Sequence, residues 1–185
     1  MQSAPHSSQA STAPLHAAFR DVHGPTLHGF ALLLTIGDRT RAARAAAEAL
    51  ADASDHLGEL RHPERAAAWL RSRVVRNLNR HRRGPEPRRS DRLAILDQLD
   101  LDEAVVAGLA VLGLRERAAL VAANIERLGL ADVAVIVGRS EDRLHGLLAR
   151  ARTSYLRTYV AAAGDTPPAG PTIDRVRDIA ARAMT

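Results

Sequence analysis

The stretch from Ala131 to Tyr155 reads ADVAVIVGRSEDRLHGLLARARTSY, and its punctuation decides the fold. Ala131 to Val137 reads as a short apolar helix, Gly138-Arg139-Ser140 as a tight turn, and Glu141 to Tyr155 as a longer helix. Gly138 can take the left-handed conformation that ends one helix, and Ser140 can cap the next. Glu141 and Asp142 suit the positive N-terminus of that second helix. Along it Leu144, Leu147, Leu148, Ala151 and Tyr155 form a stripe to be buried, while Arg143, Arg150 and Arg157 recur every seven residues beside it. This is helix-turn-helix grammar, in which the second helix can present Arg to a major groove while flanking Arg hold phosphates. Periodicity alone fits an ordinary helical hairpin with a solvated arginine face equally well.

The rest of the chain is consistent with helices. Hydrophobic residues make up 46% and charged residues 25%, as in globular proteins, but aromatics are only 3%, so the core is left to Ala, Leu and Val. Ala and Leu favour closely packed helices, whereas strands favour β-branched and aromatic side chains. An all-α protein is therefore expected. The net charge is +5 and every residue of the Lys and Arg class is Arg. A GC-rich coding sequence would by itself account for the absence of Lys, so only where the arginines fall carries functional weight.

Several function classes drop out. With no cysteine, disulfides, thiolate zinc sites and cysteine nucleophiles are excluded. His16, His23 and His28 have no paired carboxylates in their window, so no metal site is expected. Glu64, Glu86 and Asp91 suggest no acid-base pair, and neither a phosphate-binding glycine loop nor a serine nucleophile motif occurs. We expect neither an enzyme nor a cofactor. The apolar run Phe30 to Thr35 falls far short of the roughly 20 residues of a membrane helix, and no signal pattern opens the chain. A cytoplasmic protein with no membrane contact is expected.

Composition divides the chain into two helical blocks. Residues 1–14, of Ser, Ala, Gln, Thr and Pro, read as a disordered arm. Residues 15–83 read as a small helical bundle. Leu15, Ala18, Phe19 and Val22, then Leu27, Phe30, Ala31 and Leu34, follow helical spacing, interrupted at Gly24 and Pro25. Gly37-Asp38 supplies a turn and an N-cap for an Ala-rich helix from Arg39 to His56. After a loop at Gly58 to Pro63, a third helix from Glu64 to Arg83 places Ala66, Leu70, Val74 and Leu78 on one stripe. Residues 84–100 open with GPEPRRS and read as a flexible linker, with one possible helical turn over Leu93 to Leu99. Residues 101–163 form the second domain. Residues 164–185 begin with the breaker-rich GDTPPAGP and end in a short amphipathic helix, capped by Thr172, with Ile173, Val176, Ile179, Ala180 and Ala183 on one face.

A second basic feature lies on the third helix, where Arg73, Arg76, Arg80 and Arg83 fall on one side. Between Arg61 and Arg92 there are eleven Arg against Glu64, Glu86 and Asp91, so this stretch is more positive than the whole chain. Trp69 and Asn77 lie beside it and offer a stacking surface and a base-edge reader.

Order and spacing together resemble the extracytoplasmic-function group of sigma-70 family factors of bacterial RNA polymerase. AFRDVHGPTLHGFALLLTIGDRTRAAR (Ala18 to Arg44) resembles the opening of sigma region 2. AAWLRSRVVRNLNRHRR (Ala67 to Arg83) resembles the segment that melts and reads the minus-ten element. Leu109 to Arg157, with Arg-Ala-Arg at Arg150 to Arg152, is similar to region 4, which reads the minus-thirty-five element. The resemblance implies two small helical domains joined by a linker. It implies minus-ten contacts at Trp69, Arg73, Arg76, Asn77, Arg80 and Arg83, and minus-thirty-five contacts at Arg139, Ser140, Arg143, His145 and Arg150. Arg44, Ala47 and Glu48 would meet the polymerase clamp. The implied partners are the polymerase core, promoter DNA and an anti-sigma factor, and the implied location is the nucleoid.

The chain also departs from the family. Ala43, Arg44 and Ala47 stand where clamp-gripping acidic and Gln residues are usual, and only Glu48 keeps its character. Trp69 to Asn77 is a step of eight where seven is usual, which rotates one against the other by about 100° unless a bulge absorbs it. Gly113 replaces a Pro, and Asp142, His145 and Leu147 replace residues that include basic DNA contacts. These departures keep open a sigma-like regulator that does not support initiation, or a helical protein-interaction module.

Overall fold

The computed structural model describes residues 13–56, 63–81 and 103–164, and every element among them is helical. In chain order these are α1 (Ala13–Thr35), α2 (Arg39–Ser54), α3 (Pro63–Arg80), α4 (Glu103–Ala110), α5 (Leu114–Leu120), α6 (Leu130–Val137) and α7 (Glu141–Ala163), with a π-helical turn, Val121–Ile125, continuing α5. The all-α class read from composition is the class observed. Residues 1–12 of the expected arm, the loop at 58–62, the linker and the C-terminal helix lie outside the described residues, while Ala13 and Pro14, expected in the arm, already belong to α1.

α1 runs through the expected break, because Pro25 sits inside the helix. A proline removes one backbone donor, here the one that would reach the Asp21 carbonyl. Asp21, Pro25 and Thr26 all lie on the exposed side, where water can take that bond. The buried side begins at Leu27 and continues through Phe30, Ala31 and Leu34. α1 ends with Gly37 N–H donating to Leu32 O at 3.0 Å, across Ile36 held at φ 54. Asp38 then caps α2 as expected, accepting from Arg41 N–H at 3.0 Å.

α2 packs on both α1 and α3 through Ala42, Ala45, Ala46, Ala49 and Ala53, whose single methyl groups let helix axes approach closely. α3 is buried on most of its circumference, with Ala66, Leu70, Val74 and Leu78 in the core as the period requires. In the second block, α7 packs on α4, α5 and α6. Gly108 of α4 lies against the Tyr155 ring of α7, so close that a Cβ there would stand 2.7 Å from a ring carbon. The expected stripe is inside, with Leu144, Leu148 and Ala151 buried, Leu147 and Tyr155 half-buried, and Tyr159 extending it.

The two blocks touch. α3 packs on α6 and more lightly on α5, and α1 also reaches α5, so one hydrophobic cluster runs through both. Two arginines bind the junction. Arg71 of α3 donates from Nε and Nη2 to Glu126 at 2.5 and 2.7 Å, just beyond the π-helical turn. Arg117 of α5 donates to the carbonyls of Leu109, Leu112 and, across the junction, Leu34.

Candidate nucleic-acid interface

The turn between α6 and α7 has the backbone that its sequence specifies. Gly138 adopts φ 63 and ψ 50, and the chain closes with Arg139 N–H donating to Ala134 O at 3.0 Å and Gly138 N–H to Val135 O at 3.3 Å. This pairing satisfies the last carbonyls of α6 across a left-handed residue. Ser140 takes the extended conformation of a helix N-cap, and its carbonyl accepts from Leu144 N–H at 3.0 Å. Its hydroxyl makes no capping bond, which corrects the cap expected there. Glu141 and Asp142 in the first turn supply the favourable charge instead.

Arg139, Ser140, Arg143, His145 and Arg150 are all exposed around the start of α7. Arg143, Arg150 and Arg157 form a ridge along the helix, each about 10 Å from the next along the axis, and none makes an ion pair with another described residue. From Arg143 to Ala163 the helix carries no acidic side chain. Arg152 turns aside to donate to Asn124 Oδ1 at 3.3 Å. His145 Nδ1 lies 3.0 Å from Glu141 O, and because a carbonyl only accepts, that nitrogen is the donor. An open cleft between α6 and the start of α7 is lined by Val135, Gly138, Arg139 and Arg143.

On α3 the exposed edge comprises Arg65, Arg76 and Arg80, with Trp69 and Arg73 half-buried along the same line. The Arg73 guanidinium lies 4.5 Å over the Trp69 ring and 3.9 Å from an Asp52 oxygen. Trp69, Arg73, Arg76 and Arg80 thus share a face, while Arg83 lies outside the described residues. Asn77 does not join them, and its assignment as a base reader needs correcting. Its side chain is 1% exposed and its Nδ2 points at Ala45 O, 3.4 Å away. The cause is the eight-residue step. α3 is continuous α-helix from Pro63 to Arg80, so no bulge absorbs the extra residue, and the outward position seven residues after Trp69 falls to Arg76.

On α2, Arg44 and Ala47 are exposed and Glu48 is half-buried beside them, so the three share an outer face. Glu48 is already engaged, with Arg44 at 3.8 Å and with His81 Nε2 at 3.2 Å. Sequence reasoning missed Arg71, Glu126 and Arg117 as anchors. No local pattern marks a pair 55 residues apart.

Among the described residues no group of three or more His, Cys, Asp or Glu is placed to hold a metal ion, and no helix is long and apolar enough to cross a membrane. No protein-family model, curated protein or solved structure matches the chain significantly.

Proposed function

We propose that the protein is a DNA-binding transcription factor of the sigma type, which brings bacterial RNA polymerase core to promoters and performs no chemistry of its own. The observation that carries this reading is the arginine ridge on α7. Arg139, Arg143 and Arg150 stand exposed at the second helix of a helix-turn-helix, unpaired with any described carboxylate. Arginine there can grip phosphates for affinity and base edges for sequence choice. The Trp69, Arg73, Arg76 and Arg80 face of α3 is a second surface for the minus-ten strand, where the aromatic ring can stack on a base. Arg44, Ala47 and Glu48 offer the face for the polymerase clamp, and an anti-sigma factor is the regulatory partner such factors have. Its place of action is the nucleoid in the cytoplasm.

A regulator that binds DNA without supporting initiation is the second reading. Burial of Asn77 and the engagement of Glu48 by Arg44 and His81 favour it. Run-off transcription with purified core polymerase on genomic promoters separates the two. Transcripts that require the protein support a sigma factor. DNA binding without transcripts or copurifying polymerase selects the regulator.

A further inference from the structure

The last two turns of α7 leave an apolar strip uncovered. Leu156 and Val160, one turn apart, are 56% and 63% exposed. Ala149 and Thr153 continue the same strip toward the N-terminus, and the Thr153 hydroxyl is turned inward onto the Ala149 carbonyl at 3.0 Å. The opposite side of the helix, through Leu144, Leu148 and Ala151, is buried. The strip therefore belongs to neither the core nor the arginine ridge, although Arg157 flanks it.

We propose that the chain's own C-terminal segment, residues 172–185, docks on this strip as an antiparallel helix. α7 ends at Gly164, at φ 60 and ψ −145, a conformation that turns the chain out of the helix. The next 21 residues begin with Asp165, and Pro167, Pro168 and Pro171 prevent α7 from simply continuing. Reach is sufficient. Gly164 to Pro171, eight residues, spans up to about 26 Å when extended, whereas Leu156 lies only about 12 Å back along the helix. Ile173, Val176, Ile179, Ala180 and Ala183 fall on one helical face, and that face alone is too short to be stable in water without a partner. This inference stands apart from the DNA-binding reading and survives its failure.

The chain has no cysteine, so a single Val160→Cys substitution on the full chain gives a clean reporter. Its labelling rate with a maleimide is compared with that of the same variant ended after Gly164, and of the same variant carrying Ile179→Asp. The expected result is labelling slowed about tenfold in the full chain, as a docked population of about 90% gives. The rate returns to that of an open thiol in both comparison chains and does not depend on protein concentration. Equal rates in all three chains, slow or fast, overturn the proposal. Slowing that grows with protein concentration also overturns it and assigns the strip to a second copy of the chain.

Discussion

Arg71 is nearly as buried as the leucines beside it, with its guanidinium chelated by Glu126 and lying 5.7 Å over the Phe30 ring. Side-chain exposures of 8% and 14% put the pair where loss of one partner strands a charge in a poorly solvated place. Such a loss costs about 3 to 5 kcal/mol. Glu126→Ala should therefore lower the urea midpoint by the equivalent of about 3 kcal/mol, whereas replacing both with matched apolar residues should cost far less. A Glu126→Ala protein as stable as the parent would show that the junction does not need the pair. Nearby, His23 packs on Phe19, with ring centroids 4.5 Å apart. Burial first, and then the Arg71 charge, hold its imidazole below its ordinary value of 6.5. The folded protein thus resists a proton that the unfolded chain accepts. Stability is unaffected above about pH 6.5 and declines as the pH falls below it. His23→Gln should flatten the fall in denaturation midpoint between about pH 7 and pH 5. An unchanged slope would place the acid sensitivity elsewhere.

Among the helices, close approach sets the sharpest constraint. The Tyr155 ring occupies the space where a Gly108 side chain would go, so Gly108→Ala must displace that ring or push α4 off α7. Overpacking of this kind costs about 1 to 3 kcal/mol, to be read as a lowered Tm. Gly138→Ala meets no atom within 4 Å, and its expected cost is the milder strain of a left-handed residue, about 1 kcal/mol. Much of this was legible beforehand. The period of Ala66, Leu70, Val74 and Leu78, the Asp38 cap and the Gly138 turn are local, and local chemistry settled them. The same period could have placed Asn77 inside, since it lies seven residues after Leu70 and three after Val74, whereas its reading beside the arginine stripe and the family resemblance both pointed it outward. Pro25 misled because the helix tolerates it on its exposed side, where water can reach the Asp21 carbonyl that Pro25 leaves without a donor. The Ser140 hydroxyl shows the limit of residue preference, because a capping residue type does not guarantee a capping bond.

For the molecule as a whole, the sequence separates two blocks by a Pro- and Arg-rich stretch, and the described helices of both share one hydrophobic cluster. Nothing local could announce that contact, since Arg117 and Leu34 are 83 residues apart. What the contact leaves outside is informative. The α7 ridge and the arginines of the α3 edge, Arg65, Arg76 and Arg80, both remain exposed. Fluorescence anisotropy of a labelled genomic duplex, titrated at several salt concentrations, tests most directly whether the α7 ridge meets DNA. Binding should weaken steeply with salt, with a logarithmic slope of about −0.9 for each phosphate neutralised. Arg143→Ala with Arg150→Ala should bring that slope about two units closer to zero while leaving the Tm unchanged. Absence of salt-sensitive binding, or an unaltered slope in the double variant, would contradict the assignment and leave a helical module that binds protein partners alone.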